Sequence, residues 1–321
     1  MKILKFFNLL LLILFLTGCN KNKAVTIDDI VSYQDSINTY EVDGKMKLNR
    51  GSNVITFDFE VSYLSPDMYK VKLTNDKSNN SQILLKNENG VFILTPTLNK
   101  KLNFKSDWPN NSSHSYLYQS LINDVKNDGD AELVDDTDKI IIKTKCQIAN
   151  GQTSINEDII FSKVSKMPKE VTVYNSDHSV KSVTSFNDFK VNKKIEKTSF
   201  DEDKIMTESI SSNGDGELLK RDFKPLELEG YVASFDEETE DKRTMRYKKD
   251  DKMITIIETK LEVLEVSCVT KYFDDAYLND YTFTLLSANS LTFYDMDMEF
   301  VIYFNDAAKE DVFEISNILL D

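Results

Sequence analysis

The sequence predicts an α+β protein: one twisted antiparallel sheet with amphipathic helices on its concave face, followed by a smaller C-terminal α+β segment. Three observations lead there. Ile55, Phe57, Phe59, Val61 and Tyr63 alternate with Thr56, Asp58, Glu60 and Ser62, the period-two pattern of a strand buried on one face. Two stretches, opening at Thr26 and at Tyr116, repeat apolar side chains at helical spacing, as helices lying on such a sheet do. The polar run Ser211-Ser212-Asn213-Gly214-Asp215-Gly216 then separates the first body from a second.

The elements follow in chain order. Thr26-x-x-Asp29 fits a capping box, and Ile27, Ile30, Val31 and Ile37 form the stripe of a first helix. Val42, Gly44, Met46 and Leu48 alternate with polar residues up to the turn-forming 49–53, where the strand of Ile55 to Tyr63 begins. Past Ser65-Pro66-Asp67 the alternation resumes at Tyr69, Val71 and Leu73. Two strands, 83–86 and 91–95, flank Asn89-Gly90, a hairpin signal.

The stretch FKSDWPNNSSHSYLYQSL (104–121) breaks this rhythm. Pro109 and two asparagines end an extended run, Ser112 is a candidate helix cap, and 116–125 reads as a helix with Leu117, Leu121 and Val125 four residues apart. Strands return over 140–145, 158–161, 170–174 and 180–191. Residues 201–217 read as a linker. Beyond it, strands are expected at 244–248, 253–260 and 291–304, with a last helix over 307–320.

The N-terminus carries the sharpest functional signal. Lys2 and Lys5 precede an apolar run, Phe6 to Leu16, too short for a comfortable membrane span. Leu16-Thr17-Gly18-Cys19 resembles the bacterial lipobox, which implies cleavage before Cys19 and a diacylglycerol on its sulfur; an ordinary secretory peptide is the alternative. Each buried methylene contributes ~0.8 kcal/mol, so two or three acyl chains hold a protein stably at a bilayer. The expected organisation is a signal peptide over 1–18, a lipidated tether over 19–25, a sheet domain over 26–200, a linker over 201–217 and a C-terminal domain over 218–321. The expected location is the extracytoplasmic face of the cell membrane.

Charge and composition exclude several chemistries. With 54 acidic and 39 basic residues the net charge is −15, which argues against nucleic acid and against general adhesion to anionic lipid. Cys146 and Cys268 each lie in a strand-like run and read as separate buried thiols, with a disulfide between the two bodies as the alternative. His114 and His178 stand far apart, no metal-ligand spacing occurs, and 9 glycines include no phosphate loop. Asn213 to Glu217 only loosely follows a calcium loop, and Asp295, Asp297 and Glu299 read as a solvated strand face. No cofactor is implied. Ser112, Ser113 and Ser115 around His114 invite a hydrolase reading, but no Gly-x-Ser-x-Gly accompanies them.

The helix-then-strands order and the stretch LTPTLNKKLNFKSDWPNNSSHSYLYQSLINDV (94–125) resemble the lipoprotein-carrier superfamily typified by LolA. They are most similar to its Gram-positive sporulation and germination lipoproteins, such as GerS. The resemblance covers roughly residues 26–200. It implies an unclosed β-barrel whose concave apolar face is covered by helices, a cavity used for acyl chains in the carriers, and no enzymatic activity. A regulatory branch adds a small C-terminal domain and controls an anti-sigma factor; the germination branch partners a cell-wall amidase. An anchor at Cys19 and about a hundred further residues depart from the soluble carrier pattern and favour a fixed membrane role.

Three functions follow as expectations. The first is an interaction lipoprotein binding an envelope or cell-wall protein, with Trp108, Pro109, His114 and Tyr116 as the recognition surface. The second is a lipid-binding module lined by Phe57, Phe59, Tyr63, Val71, Phe92, Leu94, Leu117 and Leu121, residues that equally suit a packed core. The third is an envelope hydrolase resting on His114 alone.

Overall fold

The computed structural model describes residues 25–50, 53–76, 81–104, 108–110, 113–146, 155–213, 221–261, 267–268, 275–278, 283–295 and 297–320. The apolar run, the lipobox with Cys19, the tether up to residue 24, the cap at Ser112 and most of the calcium-like loop lie outside them. Val25, the last expected tether residue, packs against the core.

Helix α1 (Ile27–Val31) begins with the expected capping box. The Thr26 hydroxyl accepts from the Asp29 amide while the Asp29 carboxylate accepts from the Thr26 amide. It is shorter than its stripe suggested and passes into a 3-10 turn, Ser32–Ser36. Six strands then meander antiparallel: β1 (Thr39–Arg50), β2 (Asn53–Leu64), β3 (Met68–Asn75), β4 (Ser81–Asn87), β5 (Gly90–Thr95) and β6 (Lys100–Phe104). Helix α2 (Tyr118–Asn127) follows, starting two residues later than its apolar spacing suggested. Its N-cap is Leu117, without a side-chain cap. The Ser120 hydroxyl instead accepts from the His114 amide at 2.7 Å.

Six more strands complete this half: β7 (Glu132–Asp135), β8 (Lys139–Cys146), β9 (Ile155–Ser162), β10 (Pro168–Tyr174), β11 (Val180–Phe186) and β12 (Lys190–Val191). β11 pairs with β1, so the second run of strands extends the first into one sheet. Its order runs from β6 through β1 and β11 to β7, and the two ends do not meet. This is the unclosed antiparallel barrel the sequence led us to expect, with α1 and α2 against its concave face.

The segment read as a linker is helical instead. Helix α3 (Glu202–Asn213) places Ile205 and Met206, together with Phe200, on Met68, Leu85, Phe92 and Leu94. Serines and a glycine run suggested a break, but two apolar side chains one residue apart suffice to dock the first turns on the sheet's outer face.

The C-terminal half forms a second antiparallel sheet from β13 (Val232–Glu238), β14 (Lys242–Lys249), β15 (Lys252–Lys260), β17 (Asp275–Leu278), β18 (Phe283–Ser287), β19 (Ser290–Asp295) and β20 (Met298–Phe304). The expected strand 291–304 is thus the β19–β20 hairpin. Helix α4 (Val312–Leu320), shorter than expected, lays Val312, Ile315 and Leu319 on this sheet beside a stacked Phe293–Phe300 pair. A two-residue strand between them, β16 (Ser267–Cys268), crosses over and pairs in parallel with β6, making the larger sheet 13-stranded among the described residues.

Candidate functional site

The site expected from sequence is the concave face beneath α2, and the structure brings most of its residues together. Phe57, Phe59, Tyr63 and Val71 project from β2 and β3 toward Leu117 and Leu121, all in one buried cluster. Alternation requires this: β2 residues of odd number share one face, and register pairs Val61 with Val71 and Tyr63 with Tyr69. A chain of rings runs across the face. Tyr63 lies 4.9 Å from Tyr69 and 5.3 Å from Tyr40, and Tyr69 meets Trp108 edge-on at 5.7 Å.

Phe92 and Leu94 do not belong to this set. In β5, Val91 and Ile93 face the concave core, while Phe92 and Leu94 face α3 on the opposite side. Both faces of β5 are covered, so its sequence is a continuous apolar run in which parity alone could not choose a face. The misread linker and the misplaced pair share one cause, because α3 is what buries Phe92 and Leu94.

The expected recognition surface is also overturned. Trp108, Pro109, His114 and Tyr116 are buried, and Trp108 and Leu117 are fully so. The loop folds inward because its aromatic rings complete the core: His114 lies 6.0 Å from Trp108 and 5.6 Å from Tyr116. Lys86 holds it from outside, donating to the Trp108 carbonyl at 2.8 Å while paired with Asp67 at 2.8 Å.

The same geometry bears on the hydrolase reading. Burial lowers the His114 pKa to about 4, so the ring is neutral at physiological pH. Its Nδ1 is 3.4 Å from the Tyr116 hydroxyl, and its Nε2 has no hydrogen-bond partner among the described residues. Ser113 donates to Asp124 at 2.6 Å, Ser115 is paired with Thr184 at 2.8 Å, and Ser120 takes the His114 amide. None of these hydroxyls faces the imidazole, so they do not form a nucleophile–base pair with it.

Buried side chains pack the face under α2. Phe59, Val71, Leu117, Tyr118 and Leu121 expose 1% or less. An acyl chain could enter this face only if α2 moved away from the sheet.

One polar feature within the core has no counterpart in the sequence reading. Glu157, almost fully buried, follows the inward parity of Ile159 and Phe161, and the charge of Asp124 on α2 acts on it. Desolvation first, then the charge of Asp124, pushes the Glu157 carboxyl well above the usual range. Its Oε1 has no partner among the described residues, and Thr144 sits opposite it in register. Cys146 is a free buried thiol on the same face, held protonated chiefly by burial; the Cys268 side chain lies outside the described set. A glutamate at an inward strand position between isoleucines was the readable signal. A mixed-charge cleft of about 340 Å³ opens nearby, lined by Asp128, Asp130, Lys145, Asp158, Tyr174 and His178.

In the second half, Asp295 and Asp297 are not solvated. Arg221 donates from Nη1 to Asp295 at 2.8 Å and from its amide to Asp297 at 2.9 Å, with its guanidinium over Phe300 at 5.2 Å. Both carboxylates are buried at the hairpin, and the cation paired with Asp295 and the amide that Asp297 accepts from belong to one residue distant in the sequence. The two halves touch here as well. Gln82 accepts from the Phe283 amide at 2.7 Å, and Phe283, Leu285 and Tyr294 join the first core.

Comparison with known proteins places this architecture. The family model for sporulation protein YdcC-like chains matches residues 1–200. The sporulation protein YdcC of Bacillus subtilis (strain 168) is 33% identical over 318 residues, 96% of this chain and 93% of that protein. Among solved structures, the complex of Pseudomonas aeruginosa MucA and MucB aligns over 89% of this chain and 97% of that one, at 10% identity and TM-score 0.33. A LolA superfamily protein from Nitrosomonas europaea aligns over 56% of this chain and all of that one, at 12% identity and TM-score 0.32. The near full-length relative and the family model together carry the assignment: this chain belongs to the family of YdcC-like sporulation proteins.

Proposed function

We propose that this protein is a lipoprotein anchored through Cys19 on the extracytoplasmic face of the membrane. There it acts in sporulation or spore germination as a non-enzymatic partner of an envelope or cell-wall protein, of which a cell-wall amidase is one candidate. The observation that carries the reading is the sporulation protein related to it over nearly its whole length. The lipobox-like Leu16 to Cys19 supports the anchor. In the inward-turned His114 loop, Ser113, Ser115 and Ser120 bond elsewhere and do not face the imidazole, so they give the hydrolase reading no support.

The test pairs a deletion strain with two complementing alleles. Loss of heat-resistant or germination-competent spores on deletion, restored by the native gene and not by Cys19→Ala, is the expected result. Labelling with a radioactive fatty acid should mark the native chain and not the variant. Normal spores in the deletion strain would sink the sporulation role. Full rescue by Cys19→Ala would sink the anchored one.

A further inference from the structure

The fold begins a short way after the lipobox. Cys19 and Val25 are six residues apart, and Val25 already packs against the first core. A chain spans at most ~3.6 Å per residue, so no more than about 22 Å separates an anchored Cys19 from the start of α1.

Strand directions decide what else lies at that end. The chain passes from α1 into Thr39, where β1 begins, and β1 finishes at Arg50 on the opposite rim of the sheet. β11 pairs antiparallel with β1, and β10 with β11, so β10 starts on the α1 rim and ends on the other. The turn that enters β10, 163–167, therefore shares the α1 rim, and the turn that leaves it, 175–179, lies opposite. Lys166 ties the first turn to the N-terminal helix. Its Nζ donates to the Asp29 carbonyl at 3.4 Å and stands 5.5 Å over the Tyr33 ring.

At the tip of this turn stands Val164, 97% exposed and the most exposed of the large apolar side chains among the described residues. The surrounding charges are mixed. Lys163 is paired with Asp135 at 2.5 Å, and Asp136 and Asp138 are exposed on the neighbouring β7–β8 turn. What the turn offers a bilayer is therefore an apolar tip within reach of the anchor, and not a basic patch.

We propose that the short tether holds the β9–β10 turn against the protein's own membrane, with Val164 at the boundary between headgroups and acyl chains. This rests on the anchor at Cys19 proposed above. The length of the tether carries the argument. β10 is seven residues long, about 23 Å at ~3.3 Å per residue. Standing the protein on the 175–179 turn would lift the start of α1 by up to that distance, the whole reach of the tether. Standing it on the α1 rim requires no extension, and a chain that is not stretched keeps its conformational entropy. Burying Val164 at the boundary also removes apolar surface from water. A tethered protein meets its bilayer at high effective concentration, so a small apolar contact suffices to select this orientation.

The test uses the full-length chain, matured and lipidated in its host, in phosphatidylcholine vesicles that carry nitroxide-labelled lipid. A fluorophore is placed at Val164→Cys or at Ser176→Cys, an exposed position on the opposite rim. The unsubstituted chain supplies the labelling background, and both variants should keep its thermal transition. The label at 164 should be quenched several-fold more than the label at 176. Inserting twenty glycine and serine residues between Lys23 and Ala24 lets either rim reach the bilayer and should shrink that excess. Equal quenching at the two positions, stronger quenching at 176, or an excess that the longer tether leaves intact overturns the proposal. A label at 164 shielded from aqueous iodide yet untouched by the lipid nitroxide would assign the turn to a second copy of the chain, and overturn it too. Flotation with the same vesicles reads the anchor separately. A chain that does not float loses the anchor and this docking together, whereas one that floats with equal quenching loses the docking alone.

Discussion

The ring of Phe59 occupies the space that a side chain at Gly44 would need. The two residues face each other across β1 and β2, and a Cβ at position 44 would run into that ring and into the Ser185 carbonyl. Phe59 in turn packs edge-on with Phe186 at 5.4 Å, so the ring cannot swing aside freely. Gly44→Ala should therefore cost about 1–3 kcal/mol by overpacking. Gly129→Ala, where a Cβ meets nothing within 4 Å, should be neutral. Chemical denaturation midpoints of the two variants check the contrast.

His114 gives the fold a dependence on acid. Its pKa is lowered by burial from 6.5 to about 4. The unfolded chain therefore takes up a proton in that interval that the folded chain refuses. Stability is present above pH 6.5 and is lost as pH falls toward 4, by roughly 3 kcal/mol in all. His114→Phe should flatten this part of the stability–pH curve, and a proton NMR titration should find the imidazole still neutral at pH 5.

Glu157 acts with the opposite sign. Its folded pKa is raised, so the folded state keeps a proton that the unfolded state releases above 4.5. Stability falls as pH rises from 4.5 through the raised pKa. Glu157→Gln keeps the shape and removes the titration. The variant should be more stable than the native chain at neutral pH and lose the alkaline slope. Thermal unfolding at several pH values would show a parallel curve if this is wrong.

Arg221 neutralises the buried Asp295 carboxylate at the β19–β20 hairpin, and its amide donates to Asp297. Arg221→Met leaves Asp295 buried without that cation and should cost about 3–5 kcal/mol. Adding Asp295→Asn should return part of the loss, which a double-mutant cycle on the denaturation midpoint measures.

Ile205 tests whether α3 is structural. If the helix is a docked element, Ile205→Ala should destabilise the larger sheet by about 2–5 kcal/mol. A true linker would leave the transition where it is.

These sites also show how far the sequence was legible. The hairpins of the first sheet could be read because one face of β1, β2 and β3 meets water, which enforces clean alternation. β5 was legible as a strand but its inward face was not, since both its faces are covered and Val91 to Leu94 are all apolar. The Trp108 loop was located but turned the wrong way, because a polar run of asparagines and serines surrounds rings that only the tertiary fold draws inward. Asp295 and Asp297 look solvated along the chain, and Arg221, the group that makes their burial tolerable, is more than seventy residues away. Packing between elements distant in sequence decided each of these cases.

The parallel strand β16 sets an order on biosynthesis. β6 ends at Phe104, and the partner that covers its edge begins at Ser267. At ~5–20 residues per second, roughly 160 residues separate the two events, so the edge of the larger sheet stands bare for about 8–30 s as the chain emerges. Gln82 waits longer still for Phe283, which follows it by 201 residues. A nascent chain in this state offers unpaired backbone to any neighbouring strand, its own sister chains included. Expression of the first two hundred residues alone would make that interval permanent, and aggregation through the β6 edge is the failure such a fragment invites.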